Sequence, residues 1–206
     1  MSEICCHPPL AERSHSRAYR RVLWIVLGVN LAMFIVEMIA GLSAGSVSLQ
    51  ADSLDFLSDT ANYGISLLVA GMALRNRAIA AFGKGVTMGL FGLWVLGASI
   101  WKAFAGAPPG AATMGVVGLA ALVANALCFA LLSTYRSGDS NMRSVWLCSR
   151  NDLIGNCAVV AAAFGVARTA AVWPDVLVAA IMAVLALQGA AVIVTQARAE
   201  LAGAVA

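Results

Sequence analysis

The stretch SVSLQADSLDFLSDTANYGISLL, residues 46–68, decides how this chain is read, because it has the length of a membrane span and yet carries Asp52, Asp55 and Asp59. Outward from it the chain is strongly apolar. Of 206 residues, 61% are hydrophobic and 11% charged, and the mean hydropathy is +0.87. That composition excludes the soluble globular class and describes an integral membrane protein. A spanning helix takes about 20 apolar residues, so six take roughly 120 and the remainder supplies only tails and short loops. No soluble catalytic domain fits in what is left.

Hydropathy along the chain predicts spans at Val22–Leu42, Gln50–Leu74, Gly85–Phe104, Ala112–Leu132, Val145–Val166 and Val176–Ala197. The second is the least apolar. The expected fold class is therefore all-α: a polytopic membrane protein of six transmembrane helices with both termini cytoplasmic. It divides into a polar tail (1–21), a transmembrane domain (22–197) and a short C-terminal tail (198–206). The first tail has no apolar core and no small-residue cleavage pattern, so it does not read as a signal peptide. The expected location is a membrane crossed several times, the inner membrane if the source is bacterial.

Orientation follows from the basic residues. Arg13, Arg17, Arg20 and Arg21 precede the first span, Arg75, Arg77 and Lys84 lie between the second and third, Arg136 and Arg143 between the fourth and fifth, and Arg198 follows the sixth. Only Lys102 and Arg168 fall on the other side, with Arg150 inside the fifth span. Lys and Arg concentrate on cytoplasmic loops, which places both ends inside. The same distribution accounts for the net charge of +3 without any nucleic-acid partner.

Charged groups inside a span cost about 2.5–3.5 kcal/mol each on insertion scales, so they face the bundle interior and mark function. Asp55 and Asp59 stand at i and i+4, on one side of a helix and one turn apart. Two carboxylates that close repel one another, and a divalent cation removes the conflict. Cys148 and Asp152 repeat the spacing in the fifth span. Thiolates and carboxylates both ligate metals, and four ligands from two helices can make a tetrahedral cage. The plainer alternatives are interfacial solvation for the acids and simple burial for Cys148. Asp52, Glu37, Asn30 and Asn156 are accessory or pathway candidates, and Cys128 and Cys157 read as packing residues. Cys5, Cys6 and His7 offer three metal ligands on the tail, a weak site without a fourth.

These residues carry a family likeness. SVSLQADSLDFLSDTANYGISLL and CSRNDLIGNCAVV, residues 148–160, together with the helix from Asn30 to Glu37 and its GLSAGSVSL exit, resemble the cation diffusion facilitators. The resemblance implies a six-span exporter of divalent metals coupled to protons, with Asp55, Asp59, Cys148 and Asp152 as the transport site. It also implies a short form, since the chain ends nine residues after Ala197, where such proteins commonly continue into a cytoplasmic C-terminal domain. A homodimer would then form through the transmembrane helices.

The expected partners are divalent metal ions, protons and the lipid bilayer, with no permanently bound cofactor. Zn²⁺ is the first choice of cargo, and Cd²⁺, Co²⁺, Fe²⁺, Ni²⁺ and Mn²⁺ are compatible with one thiolate and three carboxylates. An enzyme is not expected, because no span contains a histidine or a clear nucleophile–base pair. Two rival readings are a nontransporting membrane metal sensor or assembly protein and a passive cation channel. A channel repeats its acids around a symmetric pore, whereas the unequal Asp/Asp and Cys/Asp pairs favour one enclosed site.

Overall fold

The computed structural model describes residues 17–68, 74–133 and 140–203, with side chains on the fifth helix described from Asp152 onward. Among the described residues the chain forms six helices and no strand. These are α1 (Arg17–Ala44), α2 (Val47–Leu68), α3 (Leu74–Ala105), α4 (Ala111–Ser133), α5 (Ser140–Thr169) and α6 (Trp173–Gly203). Five contain segments long and apolar enough to cross a membrane: Arg20–Ala44, Ala78–Phe104, Ala111–Ser133, Asp152–Thr169 and Trp173–Ala202. The protein is an all-α, multi-pass membrane protein.

The helix that fails the apolarity test is α2, and its position explains why. Large hydrophobic side chains are exposed along α1, α3, α4, α5 and α6, such as Ile39, Leu90, Val116, Phe164 and Leu185. None is found on α2 among the described residues, where Leu49, Asp52, Leu54, Phe56, Asp59 and Tyr63 are all buried. The others cover it: α1 packs along α2, α3 pairs with α6, α4 pairs with α5, and α2 also touches α3, α5 and α6. A helix that meets protein on all sides can carry carboxylates that a lipid-facing helix cannot.

The turn between α1 and α2 is determined by two residues. Gly45 adopts φ 65°, a left-handed conformation that costs glycine little. Its N–H donates to the Leu42 carbonyl at 3.3 Å and the Ser46 N–H to the Gly41 carbonyl at 2.8 Å, which satisfies the end of α1 in a Schellman motif. Ser46 then caps α2, its Oγ accepting the Leu49 N–H at 3.2 Å. The reversal lays the end of α1 against the start of α2. A Cβ on Gly41 would stand 2.9 Å from Gln50 Cγ and 3.0 Å from its backbone nitrogen, so the two helices meet at backbone distance there.

One expectation is corrected by α3. Residues 75–84, predicted as a loop, are helical from Leu74 onward. The reason is local: the segment contains Ala78, Ala80 and Ala81, strong helix formers, and buries Ala78 and Ala81. Ala81 packs in a small core with Ile193 and Ala197 of α6, and α6 correspondingly continues to Gly203, beyond the predicted end of its span. The opposite end of α3 is joined to α4 by Gly106–Gly110, which holds Pro108 and Pro109 outside regular structure.

Candidate metal-transport site

The acids of α2 form a ladder along its length. Asp52 and Asp59 are buried and Asp55 is half-buried. At 1.5 Å per residue, Asp52 and Asp59 are separated by about 10 Å along the axis. Asp55 lies within electrostatic reach of both.

At the Asp59 level the structure brings α2 and α5 together. Asp59 lies within hydrogen-bonding reach of Asp152 and within electrostatic reach of Lys84. Tyr63, one turn further along α2, donates its phenolic hydrogen to Asp59 Oδ2 at 2.9 Å, and Lys84 donates to Asn62 Oδ1. Lys84, placed by hydropathy in a cytoplasmic loop, is thus a helical residue facing this cluster. Sequence reasoning missed both. Tyr63 was legible in principle, since it repeats the i, i+4 spacing from Asp59.

At the Asp52 and Asp55 level, α5 offers a glycine. A Cβ built on Gly155 would lie 3.8 Å from Asp55 Oδ2 and 3.9 Å from Asp52 Oδ1, so both carboxylates approach the same bare stretch of backbone. Asn156 follows it, buried, with Nδ2 donating to the Asp152 carbonyl at 2.8 Å and Oδ1 without a hydrogen-bond partner among the described residues. Glu37 of α1 reaches the same level beside Asp52. Asn30 does not join this cluster. Its Nδ2 donates to the Val26 carbonyl at 2.7 Å and faces Cys128 Sγ at 3.9 Å.

Among the described residues, no three Asp, Glu, Cys or His side chains close around one point tightly enough to hold a metal ion. The side chain of Cys148 lies outside the described residues, while its backbone is on α5, one turn before Asp152. The expected ligands are therefore seen as a contact, Asp59 with Asp152, and a neighbour, Asp55. Cys5, Cys6 and His7 also lie outside the described residues. Of the other cysteines, Cys128 is buried as expected, with Leu23, Val26, Tyr63 and Leu132. Cys157 instead points outward and is exposed.

A residue with no role in the sequence reading ties the other end of the bundle together. Asp175, near the start of α6, is fully buried. Its Oδ1 accepts the Ser46 hydroxyl at 2.7 Å and the Ser48 N–H at 2.9 Å, and its Oδ2 accepts the Val47 N–H at 3.0 Å. Lys102 of α3 stands 3.9 Å from Oδ2. A carboxylate from one helix thus neutralises the positive end of another.

Helices of membrane length around a buried, carboxylate-bearing central helix define a polytopic membrane protein with an internal acidic face. Residues 23–202 match the Cation efflux transmembrane domain, and the chain belongs to that family. It is 25% identical over 180 residues to the metal cation efflux system protein CzcD of Cupriavidus metallidurans, covering 82% of this chain and 57% of that protein. It is 26% identical over 184 residues to the zinc transporter ZitB of Escherichia coli, covering 83% of this chain and 58% of that one. The chain thus spans little more than half the length of these relatives.

Proposed function

We propose that this protein exports divalent metal cations by metal/proton antiport, with Asp55, Asp59, Cys148 and Asp152 as the transport site. The observation that carries the reading is the meeting of Asp59 with Asp152 across α2 and α5. Two carboxylates from different helices, Asp59 buried and Asp152 half-buried, are acceptors only, and a cation between them satisfies both. The names of the relatives, a metal cation efflux protein and a zinc transporter, support the same class of cargo, with Zn²⁺ first.

The cation enters from the cytoplasm and displaces protons from the site. It leaves when the helices rearrange to open the other side, and protons taken up there reset the ligands. Coupling follows from the chemistry, because these ligands bind metal only when deprotonated. Movement of helices about an internal site supplies alternating access. The excess of Lys and Arg on one side orients the bundle with both termini cytoplasmic and the Asp175 end outside. No covalent step is involved.

The test is proton flux in sealed vesicles containing the purified protein, challenged in turn with Zn²⁺, Cd²⁺, Co²⁺, Fe²⁺, Ni²⁺ and Mn²⁺. Metal-dependent proton movement against the direction of metal transport is the expected result. Metal movement without any proton countermovement selects the passive channel instead, and no movement of any metal rejects transport.

A further inference from the structure

We propose that Glu37 and Asp52 form a second, weaker station for the transported divalent cation, between the Asp55–Asp59–Asp152 cluster and the Asp175 end of the bundle. The proposal rests on the transport reading and adds a place where the cargo pauses before release.

Glu37 and Asp52 are both fully buried. All four of their carboxylate oxygens lack a hydrogen-bond partner among the described residues. The two groups are neighbours across α1 and α2. They stand within hydrogen-bonding reach of each other, but as carboxylates both only accept, so neither answers the other unless a proton is shared between them. A buried carboxylate without a donor or counter-charge is strongly destabilised, so such a pair persists only where a positive species satisfies it during the working cycle. Packing does not explain the pair, because apolar residues of the same size would fill the space without that cost.

The surroundings fit a cation. Asp52 Oδ1 approaches the α5 backbone where Gly155 leaves room, alongside Asp55 Oδ2, so an ion can be handed from Asp55 to Asp52 along one wall. The position fits an exit. Asp52 lies five residues inside the start of α2 at Val47 and Glu37 seven residues before the end of α1 at Ala44. At 1.5 Å per residue these depths are about 7 and 10 Å, against about 18 Å for Asp59. The ligand set fits release as well. Two carboxylates without thiolate or imidazole hold a hard, partly hydrated ion, and fewer ligands hold it less tightly.

Mn²⁺ is the probe of choice, as an oxygen-preferring ion whose bound and free forms are separated by electron paramagnetic resonance. The purified full chain in detergent is titrated with Mn²⁺ alone, alongside Glu37→Gln, Asp52→Asn and Asp152→Asn, each checked for a wild-type melting profile. Wild type should bind a tighter and a weaker ion. Glu37→Gln and Asp52→Asn should each weaken the second ion at least tenfold and leave the first, whereas Asp152→Asn should weaken the first. A weaker ion unaltered in both Glu37→Gln and Asp52→Asn overturns the station while leaving the transport site standing. Binding that none of the three variants changes overturns both. Where one of the pair does not fold, the other decides.

Discussion

The hydroxyl of Ser46 donates to Asp175 Oδ1 at 2.7 Å, joining residues 129 positions apart in the chain. Ser46 ends one turn and starts α2, and Asp175 starts α6, so this bond fixes the entry of the acid-bearing helix against another helix. Breaking a buried, charge-assisted network of this kind costs about 3 kcal/mol. Asp175→Ala should therefore lower the melting temperature in detergent well below wild type, and Ser46→Ala should lower it less, since a lost cap costs about 1 kcal/mol. Equal melting of Asp175→Ala and wild type would show that Asp175 does not anchor the helices.

Asp59→Ala and Asp152→Ala should each abolish metal transport while leaving insertion into the membrane intact. Removing one of two facing acids leaves the other unmatched and the cation underbonded. Vesicle flux at the wild-type rate in both variants would place the transport site elsewhere.

Two glycines should respond in opposite ways. A Cβ at Gly41 meets the Gln50 backbone nitrogen at 3.0 Å, so Gly41→Ala must push α1 and α2 apart, at roughly 1–3 kcal/mol. At Gly155 the nearest atom is the end of Met182, at 3.5 Å, which is ordinary contact. Gly155→Ala should melt like wild type, and Gly155→Leu, which fills the space before Asp52 and Asp55, should lose transport. Comparable melting of Gly41→Ala and Gly155→Ala would contradict the close approach at Gly41.

Cys148→Ser should reduce Cd²⁺ transport more than Mn²⁺ transport, because a hydroxyl replaces a soft thiolate with a hard neutral oxygen. A vesicle assay with both ions in competition reads the ratio directly. An unchanged Cd²⁺/Mn²⁺ ratio removes Cys148 from the ligand set.

Single cysteines at Arg75 and Gly110, both exposed, should label from opposite faces of the membrane, Arg75 from the cytoplasm. Labelling of both from one face is incompatible with the orientation drawn from the basic residues.

Much of this arrangement was legible in the residues because it is written at short range. Apolar runs announce the outer helices, and the i, i+4 spacing of Asp55 and Asp59 sets them on one side of α2. What escaped was long-range or masked by charge. Arg75, Arg77 and Lys84 interrupt the apolar signal and read as loop, although the alanines between them favour helix and Ala81 packs against α6. The approach of Glu37 to Asp52 follows from how tightly Gly41 and Gly45 let the chain reverse. Asp175, in the sequence WPD, looks like a solvated turn residue until the start of α2 is seen to lie against it.

Asp59 and Asp152 meet from two different helices, α2 and α5. On the proposed site the bound ion becomes a structural part of the contact between them. A ligand that binds only the folded form raises stability by RT ln(1 + [L]/Kd), about 2.7 kcal/mol at a hundredfold excess over Kd. Metal supply would then govern how long each copy of the protein survives. On that reading the empty protein would open more often to proteolysis in a starved cell, and in an overloaded one the bound ion would protect it.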